Sequence, residues 1–103
     1  AEATKGERVL ACIAPGDGPV GFASVHVRQR FVHLLFVAPG LEGTGIGTCL
    51  LASLPAHVPP PWRLKCLLAN TRALRFYAKN GWCELERDEG PDGAFALLVK
   101  HAA

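Results

Sequence analysis

Residues 31–54, FVHLLFVAPGLEGTGIGTCLLASL, constrain this chain more than any other stretch. They read as a buried strand, a glycine-rich turn and a short helix, with Gly43, Gly45 and Gly47 where the helix should begin. The first N–H groups of a helix have no partner inside it, and the helix dipole places about half a positive charge there. Glycine lets a ligand approach such backbone closely, so the turn suits a phosphate or pyrophosphate. The bland alternative is a tight strand-to-helix turn with nothing bound.

Upstream, residues 8–14 (RVLACIA) form an apolar strand, and Pro15-Gly-Asp-Gly-Pro19 supplies a hairpin loop. Residues 20–28 make a second strand and residues 31–37 a third, leaving Gln29 and Arg30 as an economical two-residue turn. In that register Arg28 faces Phe31, His26 faces His33, and Ser24 faces Leu35. Ala23, Val25 and Val27 then share an apolar face with Val32, Leu34 and Phe36, which should be core. The opposite face, with Ser24, His26, His33 and Arg28 beside Phe22 and Leu35, borders solvent or a cleft.

After the glycines, Ile46, Leu50 and Leu54 share a helical stripe supported by Cys49, and Pro55 ends the helix. Residues 55–62 (PAHVPPPW) hold four prolines and read as a stiff surface connection rather than a domain boundary. Residues 63–69 (RLKCLLA) form a buried strand, and the strand–helix–strand path favours a right-handed parallel crossover. Asn70 then caps a helix that Asn80-Gly81 stops, with Ala73, Phe76 and Tyr77 on one face. Residues 82–87, a turn at 88–93 and residues 94–101 make a final hairpin. The order β-β-β-α-β-α-β-β describes an α/β chain with a mixed (α+β) sheet, a single domain over residues 1–103. Such sheets bind ligands at the carboxyl ends of their parallel strands, where both the glycine turn and Asn70 fall.

Composition excludes several function classes. The formal net charge is +2 and the basic residues are scattered, so no basic stripe for nucleic acid exists. The apolar runs are of strand length, too short to cross a membrane. The opening AEATKGERV lacks a signal-peptide layout, which points to the cytoplasm. Cys12, Cys49, Cys66 and Cys83 are widely spaced with no C-x-x-C, so no metal site is expected. They read as reduced core or near-core residues, with disulfide bonding as the lesser alternative.

Two motifs now combine: L-x-V-x-P-x-x-x-G-x-G-I-G-x-x-L-L over residues 35–51, and N-x-x-A-x-x-F-Y-x-x-x-G-W over residues 70–82. In this order they resemble the acetyl-CoA-binding core of the GNAT superfamily of N-acetyltransferases, over roughly residues 8–101. A nucleotide-binding P-loop fits poorly, because no Gly-Lys-Ser/Thr follows the glycines. The resemblance implies acetyl-CoA as cosubstrate, no metal, and a small-molecule or peptide amine as acceptor. It implies that the backbone of Glu42, Gly43, Thr44, Gly45, Ile46 and Gly47 cradles the pyrophosphate. Phe36 and Val37 would pair with the pantetheine arm, and Asn70 would sit beside it. Tyr77 matches the tyrosine that hydrogen-bonds or protonates the departing sulfur; packing against Phe76 is its structural alternative. A thiol titrates at ~8.5 and tyrosine at ~10, so a hydrogen bond to the thiolate is easier than full proton donation.

His33 and His26 are the candidate general bases, a role for which a paired histidine suits, or they are ordinary strand histidines. Two departures stand out. The family usually carries Arg or Gln where this chain has Glu42, and a carboxylate beside pyrophosphate is unfavourable unless it points away. Only seven residues precede Arg8, whereas family members usually begin with a strand and two helices. The chain is then either a minimal version or part of a longer one. Uncovered apolar sheet surface tends to find a partner, which favours a homodimer. The expected activity is transfer of acetyl from acetyl-CoA to a primary amine. The alternatives are a longer acyl-CoA, or a non-catalytic CoA-binding or partner-binding module.

Overall fold

The computed structural model describes residues 6–16 and 18–101. Asp17, at the centre of the first expected loop, and residues 1–5, part of the stretch read for a signal peptide, lie outside that set. The elements are β1 (Glu7–Ala14), β2 (Gly18–His26), β3 (Phe31–Val37), α1 (Ile46–Ala52), β4 (Trp62–Leu67), α2 (Thr71–Lys79), β5 (Cys83–Gly90) and β6 (Gly93–Lys100). A single 3₁₀ turn, Leu54–Ala56, follows α1. The order matches the expected one, and the chain is mixed α+β. It falls into two compact units, residues 1–59 and 60–103. Among the described residues, no helix is long and apolar enough to cross a membrane.

In the first unit β2 pairs antiparallel with both β1 and β3. The β2–β3 register departs from the expected one. The turn spans four residues: Val27 N–H is drawn to Gly6 O at 2.8 Å, and Arg30, at φ 53, donates to Val27 O at 3.3 Å. His26 therefore pairs with Phe31 rather than His33. A bulge then shifts the register between Ser24 and Val25, so that Val25 faces Val32 but Ser24 faces Leu34. One extra residue in a strand sends every following side chain to the opposite face. Ala23, Val25 and Val32 are buried as expected, whereas Leu34 and Phe36 emerge 48% and 42% exposed. Leu35 takes the place opposite Ala23. The open face thus carries Val9, Phe22, Leu34 and Phe36, with the Phe22 and Phe36 rings 5.3 Å apart.

The closed face meets α1. Leu50, Leu51 and Leu54 are buried there with Leu10, Val20, Ala23 and Val25. Each such leucine contributes about 1.5–3 kcal/mol. Cys49 does not support the stripe; it is exposed on the outward side of α1, and Gly47 and Leu51 fill that role. Close approach depends on Gly21, where a Cβ would meet Ile46 Cγ2 and Phe36 O at 2.8 Å each. Residues 55–59 are more than a surface strap, because Val58 is 1% exposed.

In the second unit β6 lies between β4 and β5, antiparallel to both. β4 alternates: Trp62, Leu64 and Cys66 are buried, while Arg63, Lys65 and Leu67 are exposed, so it is buried on one face only. Lys65 Nζ covers the Phe95 ring at 4.8 Å. The last turn is tighter than expected. Asp88 and Glu89 pair with Phe95 and Ala94, leaving only Pro91-Asp92 between the strands. Proline suits the first corner, and Gly93 at φ 119 takes the conformation the hairpin needs. Of the four cysteines, all free, only Cys66 is buried; Cys83 opens the exposed strand β5.

Helix α2 forms as its caps dictate. Asn70 Oδ1 accepts from Ala73 N–H at 3.1 Å. At the far end Asn80 Nδ2 donates to Phe76 O at 2.9 Å, and Gly81 turns the chain at φ 88. Ala73, Leu74, Phe76 and Tyr77 are half-buried, and no residue of α2 is fully buried.

Candidate active site

The expected site residues divide between the units: His26, His33, Phe36, Val37 and residues 42–47 in the first, Asn70 and Tyr77 in the second. In the first unit β3 ends at Val37, and two successive turns carry the chain into α1. Leu41 N–H donates to Ala38 O at 3.0 Å and Thr44 N–H to Leu41 O at 3.2 Å, with Thr44 Oγ1 donating to the same carbonyl. Gly43 and Gly45 adopt φ 81 and 92, which side chains rarely reach. The first helical bond is Cys49 N–H to Gly45 O at 2.9 Å. The N–H groups of Gly43, Gly45, Ile46, Gly47 and Thr48 consequently have no acceptor among the described residues.

The Glu42 carboxylate is engaged within the turn itself. Its Oε1 accepts from Gly40 N–H at 2.9 Å, so the carboxylate is turned back on the preceding turn. The first turn of α1 contains no acidic residue. A set of unpartnered backbone donors with the nearest carboxylate already engaged fits a pyrophosphate. Sequence reasoning missed the Glu42 bond; its only signal is an acceptor two residues beyond a turn glycine. Phe36 and Val37 carry their backbone into β3, paired on one side with Phe22 and Gly21.

The two histidines do approach each other, although not as a cross-strand pair. Their ring centroids are 6.0 Å apart, and His33 also meets the Phe31 ring at 5.1 Å. His26 Nδ1 accepts from Gln29 N–H at 3.2 Å. A neutral imidazole so engaged carries its proton on Nε2, and taking another at Nδ1 would break that bond. His33 is exposed and bears no such constraint.

In the second unit Tyr77 stands on the last turn of α2, with Phe76 at 5.3 Å and Trp82 at 5.9 Å between ring centroids. Burial first, and the nearby Cys66 sulfur second, push its phenol up to about 12. Burial also raises the Cys66 thiol. Tyr77 is therefore a firm hydrogen-bond donor across the neutral range. Asn70 uses Oδ1 as a cap, and its Nδ2 makes no bond among the described residues. No group of three or more His, Cys, Asp or Glu among the described residues could hold a metal ion.

A family model described as an acetyltransferase (GNAT) domain matches residues 5–84. The chain belongs to the GNAT family. That fold supports acyl transfer from an acyl-CoA to an amine in general. Among solved structures, this GNAT chain is similar to apo YjaB from Escherichia coli, with TM-score 0.77 and 24% identity over 92% of this chain and 65% of that one. The ribosomal-protein-S18-alanine N-acetyltransferase from Escherichia coli gives 0.78 and 17% over 98% and 72%. Arabidopsis thaliana Naa50, in complex with the bisubstrate analogue CoA-Ac-MVNAL, gives 0.70 and 19% over 82% and 66%. The chain thus spans about two thirds of the length of these GNAT proteins. No curated protein matches it.

Proposed function

We propose that this GNAT chain, read as one domain over residues 1–103, transfers acetyl from acetyl-CoA to a primary amine by direct attack. The observation that carries the reading is the set of N–H groups at Gly43 and from Gly45 to Thr48 that have no acceptor among the described residues, with the Glu42 carboxylate engaged in the preceding turn. In this reading those groups bind the pyrophosphate. The backbone of Phe36 and Val37 serves the pantetheine arm; in the second unit Asn70, whose Nδ2 makes no bond among the described residues, is the residue that the family resemblance assigns to that arm. Acetyl-CoA supplies the activated carbonyl and a thiol leaving group. The amine nitrogen bonds to the carbonyl carbon as the carbon–sulfur bond breaks, and the sulfur departs with the electron pair. His33, exposed and unconstrained, accepts the amine proton directly or through water; His26 contributes only by giving up its bond from Gln29.

Tyr77 stabilises the sulfur rather than protonating it. With its phenol at about 12, full transfer to a thiolate of pKa ~8.5 is uphill by about 3.5 units, or ~5 kcal/mol. A hydrogen bond from the hydroxyl needs no such transfer and strengthens as charge develops. Support for an amine acceptor comes from the neighbour that acts on an S18 alanine and from the one holding a CoA–peptide bisubstrate analogue.

The test is release of CoA from acetyl-CoA, followed with a thiol reagent, across an alanine-initiated peptide, spermidine and a simple alkylamine. Tyr77→Phe should lower kcat by about 10²-fold while leaving the KM for acetyl-CoA nearly unchanged. Unchanged turnover in that variant would remove Tyr77 from the mechanism. Calorimetric binding of acetyl-CoA without CoA release from any amine would favour the non-catalytic module, and faster turnover of a longer acyl-CoA would shift the donor.

A further inference from the structure

We propose that Trp82 is a positioning residue that fixes the orientation of the Tyr77 ring; this rests on the reading of Tyr77 as the donor to the departing sulfur. Trp82 follows Gly81, whose left-handed conformation ends α2 and folds the chain back along the helix's last turn. Its N–H donates to the Tyr77 carbonyl at 3.0 Å, so the two residues are tied through the backbone. Their rings also meet edge to face, with centroids 5.9 Å apart and planes at 66°. That is the arrangement the quadrupoles of two aromatic rings favour.

The asymmetry of the pair gives it a direction. Trp82 is 4% exposed and locked in the core of its unit, whereas α2 itself has no fully buried residue. Phe76, the other ring against Tyr77, lies on the same helix and is only half-buried, so it moves with Tyr77. Trp82 is the contact anchored off the helix. Its Nε1 is buried without a hydrogen-bond partner among the described residues, so Trp82 acts through ring surface and not through a hydrogen bond. A tyrosine hydroxyl swings over a wide arc for a small ring rotation, and displacement of about 1 Å costs catalysis up to ~10²-fold. Side chains that lock a functional rotamer by packing are the usual remedy.

Tyr77 is the only tyrosine in the chain, so its ionisation can be read alone. Tyrosinate absorbance after a rapid pH jump, taken before unfolding, should show the wild-type phenol still protonated near pH ~10, where an exposed tyrosine is half ionised. Trp82→Ala should bring the midpoint down, and Trp82→Phe, which keeps an aromatic surface, should hold it. In CoA release, Trp82→Ala should lower kcat about tenfold or more with the KM for acetyl-CoA little changed, and Trp82→Phe should restore it. Combined with Tyr77→Phe, Trp82→Ala should cost no further activity. Should Trp82→Ala fail to fold, Trp82→Leu, which removes the ring and leaves part of its volume open to water, serves in its place. An unmoved midpoint in a folded ring-less variant overturns the proposal, as does a loss of kcat that persists in full beside Tyr77→Phe. If Tyr77→Phe alone is fully active, the proposed role of Tyr77 fails, and the titration still decides whether Trp82 seats the ring.

Discussion

At the scale of single residues, Glu42 changes meaning most. Read from the sequence, its carboxylate threatens the pyrophosphate; in the fold it accepts from Gly40 N–H and helps hold the turn that presents the free amides. Charge and acceptor are separable. Glu42→Gln keeps Oε1 as acceptor and removes the charge, so acetyl-CoA should bind more tightly. Glu42→Ala loses the clasp and should bind more weakly, by about 1 kcal/mol or roughly fivefold. Calorimetric titration with acetyl-CoA separates them, and weaker binding by the Gln variant would give the negative charge itself a positive role. The residues whose structure was legible in advance are those with local chemistry: Asn70 as a cap, Gly81 as a stop, Gly43 and Gly45 as turn glycines before α1. Glu42 was not legible, because its side chain chooses between solvent, ligand and turn, and composition does not record the choice.

At the scale of elements, type and order could be read, since apolar periodicity, proline and glycine act over a few residues. Register could not. The β2–β3 turn closes through Arg30 at φ 53, a non-glycine residue with no left-handed signal, and the bulge beyond it has no signature. Two small departures moved Leu34 and Phe36 from the expected core to the open face. Gly21 was equally silent, because its purpose appears only when α1 lies across β2. A Cβ there would sit 2.8 Å from both Phe36 O and Ile46 Cγ2. The isoleucine end can give way but the strand carbonyl cannot without disturbing the β2–β3 ladder. Gly21→Ala should therefore destabilise the chain by about 1–3 kcal/mol. At ~4–8 °C per kcal/mol for a domain of this size, thermal denaturation should show a lowered midpoint. An unshifted midpoint would mean that α1 is free to lift from the strand.

At the scale of the whole molecule, the buried phenol of Tyr77 couples folding to alkaline pH. Its folded value is raised to about 12, against ~10 in an unfolded chain. Below pH ~10 both states hold the proton and stability is unaffected. Between ~10 and about 12 the unfolded chain has released it while the fold still binds it, so stability falls as pH rises. A difference of about two units sets the loss at no more than ~2–3 kcal/mol, less whatever solvent reaches the half-buried ring. Cys66, raised by burial, has the same sign and starts the decline earlier, above the ordinary thiol range. Because Tyr77 is the only tyrosine, the two contributions can be separated. Urea denaturation of wild type and Tyr77→Phe at pH values from 8 to about 11 should give curves that run parallel at first, the wild type then falling faster above pH ~10, where the variant has no phenol to ionise. If the wild type loses no more stability than the variant over that range, the Tyr77 hydroxyl titrates alike in both states. Its surroundings would then be too wet to raise the phenol, which would still donate a hydrogen bond at neutral pH, while full proton transfer to the sulfur would be uphill by only ~2 kcal/mol.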